Sequence, residues 1–156
     1  MLHHSSGSLF CSDQCEYAYR PATIYEKQYP RIIVTVRIAY RVTEAVLDTG
    51  APWCVCSPEF RDDLEQHASD KVTIDSLNIR GTRYDGALYR VPIELVGDNG
   101  GISLEGTVFL PDVSPEEWPN LPSFIGLSGC LERIRFAIDP SDNTWYFGSL
   151  GAIDQD

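Results

Sequence analysis

The chain has 156 residues, 43% of them hydrophobic and 22% charged, a composition that excludes a wholly disordered chain and fits one globular domain. Twelve basic against 23 acidic residues leave a formal charge of −11, which argues against nucleic-acid binding, because neutralising phosphates takes a basic face. The longest apolar stretches are broken by arginines, and none reaches the roughly 20 residues of a membrane-spanning helix, so no membrane partner is expected.

Residues 1–30 read as an N-terminal arm, partly flexible, because they are polar and carry no clear period. Residues 1–10 lack the charged start and apolar centre of a signal peptide. Five cysteines (Cys11, Cys15, Cys54, Cys56 and Cys130) are an odd number whose spacing fits no disulfide framework, so a reducing, cytoplasmic setting is expected. His3, His4, Cys11 and Cys15 lack the tight paired spacing of a tetrahedral zinc site, and no metal or other cofactor is expected.

Ile32-Ile33-Val34-Thr35-Val36-Arg37-Ile38 is rich in β-branched residues and predicts a strand, and Val42 to Leu47 predicts a second. Ser57-Pro58-Glu59 has the form of a helix start, with Ser57 as N-cap and Pro58 in the first turn, and predicts a helix to about Gln66. Val72 to Ile79 carries an imperfect strand pattern. The polar stretch Arg80 to Gly86 follows, with glycine near each end, and then Leu88 to Val96 alternates cleanly. Together they predict a long hairpin with a seven-residue tip.

Asp98-Asn99-Gly100-Gly101 predicts a turn into a strand over Ile102 to Leu110. Pro111 to Pro122, with four prolines, predicts a loop. A short helix near Ser128 to Arg133 and two strands about Asp139-Pro140-Ser141-Asp142-Asn143 close the chain. Residues 31–150 therefore read as one mostly β domain with one or two short helices, followed by a tail at 151–156.

The segment with chemical content is Ala45-Val46-Leu47-Asp48-Thr49-Gly50-Ala51. An apolar strand delivers a carboxylate onto a turn whose glycine permits close backbone approach, so that N–H groups can orient the carboxylate. A lone Asp-Thr-Gly is short enough to occur by chance, and alone it marks only a turn that closes a strand. Here apolar residues precede it, a small one follows, and Phe124-Ile125-Gly126 forms a second apolar-apolar-Gly signature about 75 residues on.

With these pieces in this order, from about Ile32 to Gly148, the sequence resembles the retropepsin-like aspartic proteases, single-lobe relatives of pepsin that include the retroviral enzymes. The closing text is similar to that of bacterial members. The resemblance implies a single-lobe acid-protease β-barrel, active as a twofold homodimer on a peptide or protein substrate. It implies that Asp48 is the catalytic aspartate and that Thr49, Gly50 and Ala51 support its loop. It further implies an apolar strand beneath that loop, containing Ile125 and Gly126, and a flap at Gly81 to Gly86. Gly81, Thr82, Arg83 and Tyr84 are then candidates for substrate contact.

Asp112, Asp139 and Asp142 lie outside any second Asp-Thr/Ser-Gly, so the second carboxylate of such a dyad is expected from Asp48 of another copy. Cys54 and Cys56 read as small buried apolar residues. Bulky Trp53 keeps open a second reading, a catalytically silent module that dimerises or binds peptides. A third reading is a β-barrel ligand binder carrying a chance Asp-Thr-Gly.

Overall fold

The computed structural model describes residues 1–23 and 29–151. In chain order its strands are β1 (Leu2–His3), β2 (Leu9–Cys11), β3 (Asp13–Glu16), β4 (Ala18–Pro21), β5 (Pro30–Ile38), β6 (Arg41–Leu47), β7 (Cys54–Val55), β8 (Asp70–Ile79), β9 (Thr82–Leu95), β10 (Ile102–Pro111), β11 (Ser123–Ile125), β12 (Ile134–Asp139) and β13 (Thr144–Ser149). One short α-helix, α1 (Arg61–His67), lies between β7 and β8, preceded by a 3-10 turn over Pro58–Phe60. Among the described residues the chain is thus mostly β with one short α-helix, the fold class expected from the sequence.

Eight strands form one sheet in the order β4-β5-β6-β11-β7-β10-β9-β8. The sheet closes on itself where the far end of β9 also pairs with β5, Val36 opposite Leu95 and Ile38 opposite Ile93. Closure follows from the length of β9, which pairs with β8, β10 and β5 in turn. Its alternation puts Tyr89, Val91, Ile93 and Leu95 in the core, while Arg90, Pro92 and Glu94 take the other face. Arg37 and Glu94 stand opposite each other on β5 and β9 and form an ion pair there.

A smaller sheet, β12-β13-β3, adds the fully buried Trp145 and Phe147 to the same core. A second apolar cluster, including Ile33, Val46, Val55, Phe109 and Phe124, lies on the side of the sheet that carries the Asp48 loop.

Two expectations are corrected. The expected arm is largely strand: β3 pairs with β13, Cys15 opposite Trp145, and β4 pairs with β5, Ala18 opposite Ile33. Within it Cys11, Asp13 and Tyr17 are buried. These strands are too short to display a period, and β3 finds its partner more than 120 residues away, so the local text does not announce them. Residues 24–28 of the arm, and the expected tail apart from Gly151, lie outside the described residues.

The hairpin tip is also tighter than expected. Ile79 pairs with Thr82, leaving only Arg80 and Gly81 in the turn, at φ 52° and 84°. Positive φ at both central residues makes this the mirror-image turn that matches strand twist. Gly86 is therefore part of β9, where a side chain would collide with the Leu110 carbonyl and the Phe109 ring.

Candidate active site

β6 ends at Leu47, and the chain turns through Asp48, Thr49 and Gly50 before β7. Between β6 and β7 runs β11, parallel to the first and antiparallel to the second: Ile125 faces Leu47, and Phe124 faces both Val46 and Val55. A strand from late in the chain thus splits the two strands that flank the Asp48 loop and clamps its ends. The Asp48 N–H donates to the Ile125 carbonyl at 3.0 Å, and the Leu127 N–H donates to the Ala51 carbonyl at 2.8 Å.

Within the loop the Ala51 N–H donates to the Asp48 carbonyl at 3.2 Å, and the Gly50 N–H donates to Asp48 Oδ1 at 2.9 Å. That bond orients the half-buried carboxylate. Gly50 lies close to it: a Cβ there would stand 3.2 Å from Asp48 Oδ1.

Asp48 opens into a cleft of about 220 Å³. Its walls include Val55 and Phe124 from the clamped strands, Leu77 and Ile79 from β8, and two arginines, Arg31 and Arg80. The β8–β9 turn therefore contributes to the wall of this cleft through Arg80. Arg80 holds its guanidinium 5.6 Å from the centre of the Phe124 ring, within cation–π reach.

The residues singled out in the sequence are distributed unevenly. Asp48, Gly50 and Ala51 line the cleft, Thr49 is exposed beside them, and Ile125 and Gly126 lie directly beneath the loop. Gly81 is the hairpin turn and Thr82 is exposed next to it. Tyr84 packs against Trp118, ring centres 5.1 Å apart. Arg83 lines a separate cleft with Arg61, Asp85 and Asp112.

Trp53 stands away from the Asp48 cleft and lines a different hollow with Val72, Leu88 and Thr107. Arg31 and Arg80 were not singled out. Arg31 was findable, since it falls on the same face of β5 as Ile33 by period two; Arg80 was findable as the residue before Gly in a hairpin turn.

Beneath the loop lies a pair of buried thiols. Cys130 donates to the Cys54 sulfur, which also accepts from the Gly126 N–H, and this holds Cys54 below the ordinary thiol range although burial opposes it. The same contact, together with burial, pushes Cys130 well above that range. All five cysteines are free thiols. Among the described residues no cluster of three or more His, Cys, Asp or Glu side chains is arranged to hold a metal ion, and no helix is long and apolar enough to cross a membrane.

No family model matches the chain, and no curated protein matches it. Among solved structures the chain is similar to EIAV protease, solved in complex with an inhibitor, at 16% identity over 62% of this chain and 81% of that one, with a TM-score of 0.44. That likeness is one of fold alone.

Proposed function

We propose that the protein is an aspartic endopeptidase that works as a homodimer, with Asp48 from each copy forming a carboxylate dyad. The observation that carries this reading is a carboxylate oriented by the N–H of its own Asp-Thr-Gly loop, in a cleft that a hairpin turn also lines. Half a dyad does no hydrolysis, and a twofold axis beside two such loops supplies the other half. Two carboxylates brought together at such an axis share one proton. The ionised one takes a proton from a bound water as it attacks the scissile carbonyl, and the protonated one donates to the carbonyl oxygen.

The substrate peptide would lie extended in the cleft beneath the β8–β9 hairpin, which serves as the flap, and add strand-like hydrogen bonds. Thr49, exposed beside Asp48, would meet its counterpart at the axis. The five free thiols support a reducing, cytoplasmic setting.

The test is hydrolysis of a mixed peptide library from acidic to neutral pH by the wild type and by Asp48→Asn. Asparagine keeps the oxygen that accepts from Gly50, so the variant should fold and dimerise like the wild type while hydrolysis is lost. Full activity in Asp48→Asn, or a strictly monomeric protein at high concentration, would sink the mechanism. Binding of peptides or of a statine-type inhibitor without cleavage at any pH would favour the silent module instead.

A further inference from the structure

We propose that the hollow beside Trp53 is a specificity subsite for the peptide that lies at Asp48, and that it takes a large apolar side chain, aromatic or branched aliphatic. The inference rests on the proteolytic reading for where the peptide lies. It goes beyond that reading in naming a second point of selection and the residues, Trp53 and Val72, that make it.

The first argument is size and lining. The hollow has a volume of about 160 Å³. An apolar cavity of about 150 Å³ holds a benzene ring, so this one has room for one ring or one branched side chain. Its apolar side chains are Trp53, Val72 and Leu88. Trp53 and Leu88 are half-buried and Val72 is 55% exposed, so apolar surface there stays wet until a ligand covers it. Asp70 and Arg90 also line the hollow and stand opposite each other on β8 and β9, so neither sign of charge is offered alone.

Continuity with the Asp48 cleft is the second argument. Trp53, Leu77 and Leu88 pack against one apolar cluster that contains Val55, Ile79 and Phe124, and Val55, Leu77, Ile79 and Phe124 line the cleft. On β8 this continuity depends on a register shift. Val72 pairs with Leu88 and Leu77 with Tyr84, five residues along one strand against four along the other, with the irregularity between Thr73 and Asp75. Strict alternation would send Val72 and Leu77 to opposite faces. The extra residue returns both to the face that carries Leu88 and Tyr84.

The third is that Trp53 is fixed relative to Asp48. The Leu127 and Ser128 N–H groups donate to the Ala51 and Pro52 carbonyls, each at 2.8 Å, and Gly126 lies against the Trp53 carbonyl without room for a Cβ. The segment that clamps the Asp48 loop therefore also sets the place of Trp53. Val55, two residues further on, lines the cleft. Same-face neighbours on a strand are about 7 Å apart, and the stretch from Leu88 to Tyr84 spans about 13 Å. An extended peptide has the same spacing, so the side chain that enters the hollow belongs about two to four residues from the bond presented to Asp48.

The test uses octapeptides with a fixed apolar pair at the bond to be cut and a single Phe walked through the other, polar positions, each with an Ala counterpart. Hydrolysis is followed with the wild type, and binding to the wild type and to Asp48→Asn is followed by fluorescence anisotropy. At one position, about two to four residues from the cut, Phe should exceed Ala about tenfold in both kcat/KM and affinity. Trp53→Ala and Val72→Ser should each reduce that ratio severalfold at that position and not at the others, and Trp53→Phe should restore part of it. Val72 is exposed, so Val72→Ser should keep the wild-type circular dichroism even if Trp53→Ala disturbs the fold.

Equal hydrolysis of Phe and Ala peptides at every walked position overturns the subsite and leaves proteolysis standing. A preference that both Trp53→Ala and Val72→Ser leave untouched overturns its assignment to this hollow. Phe-selective binding that depends on Trp53 and Val72, without hydrolysis, supports the subsite and overturns proteolysis. Neither hydrolysis nor selective binding overturns both.

Discussion

Gly126 lies against the Trp53 carbonyl so closely that a Cβ on it would overlap that group, and the same Cβ would stand 2.9 Å from the Ala51 carbonyl oxygen. Both neighbours belong to the chain that leaves the Asp48 loop, and both are backbone, so neither can swing aside as a side chain would. Gly126→Ala should therefore cost about 1–3 kcal/mol of stability, the usual effect of overfilling a packed site. It should also displace the loop that orients Asp48 and lower peptide hydrolysis by at least tenfold. Urea unfolding read beside hydrolysis separates the two effects. A variant with wild-type activity and stability would show that β11 does not clamp the loop.

Asp13 is 2% exposed, and its carboxylate accepts four hydrogen bonds: from the N–H groups of Gln14, Asn99 and Gly101 at 2.7, 2.9 and 2.6 Å, and from the Asn99 side-chain amide at 3.2 Å. Burial acts against the charged form, but the four donors outweigh it and hold the carboxyl below its ordinary range. The folded pKa being the lower one, the stabilisation is complete above the unfolded value of about 3.9 and is lost as pH falls through the folded value. Asp13→Asn should cost about 2–3 kcal/mol at pH 7, where charge-assisted bonds are lost and donors are left facing an amide. The gap between wild type and variant in urea melts should narrow below pH 4. A gap unchanged by pH would mean that the charge contributes nothing.

These two residues illustrate what the sequence makes legible and what it does not. The strand from Ile32, the helix start at Ser57, the Asp48 turn and the strand Phe124-Ile125 are all written locally, in β-branched runs, a capping pattern and a glycine. Asp13 is not. Three of its four hydrogen bonds come from the turn at residues 98–101, and its strand pairs with β13, so its burial depends on contacts more than 80 residues distant. The cleft is legible on its floor and not on its walls. A motif identifies Asp48, whereas Arg31 and Arg80 reach the same space through strand register and a two-residue turn. Counting glycines suggested a wide tip from Gly81 to Gly86, but Gly86 is held in β9 because Phe109 and the Leu110 carbonyl leave no room for a side chain.

The thiols should be almost inert in the folded protein. Cys11 and Cys15 are raised to about 11, mainly by burial, so at pH 8 only about one in a thousand would be thiolate, the reactive form. Burial raises Cys56 further still. Cys54 is held lower but lies sealed beneath the Asp48 loop, without access to solvent. Titration with a chromogenic disulfide reagent at pH 8 should find five thiols in denaturant and at most one reacting promptly in the native state. Rapid release of two or more native equivalents would contradict the packing described around β3 and β7.

Arg80 carries two separable features, a left-handed backbone and a positive charge, and a pair of substitutions divides them. Arg80→Ala and Arg80→Asn both remove the guanidinium, its place over Phe124 and its reach into the cleft. They differ in the turn, because Asn followed by Gly is the favoured pair at two positive-φ positions and Ala is not. Arg80→Asn should be the more stable variant by about 0.5–1 kcal/mol, read as the difference between their urea midpoints. The two should nonetheless change the KM for peptide substrates alike, since both remove the same side chain from the wall of the cleft. If Arg80→Asn kept the wild-type KM and Arg80→Ala did not, the shape of the turn would be what matters to the peptide. If stability and KM moved together across wild type and both variants, the backbone and the side chain would be acting as one feature, and the arginine would owe its place in the turn to folding and not to the substrate.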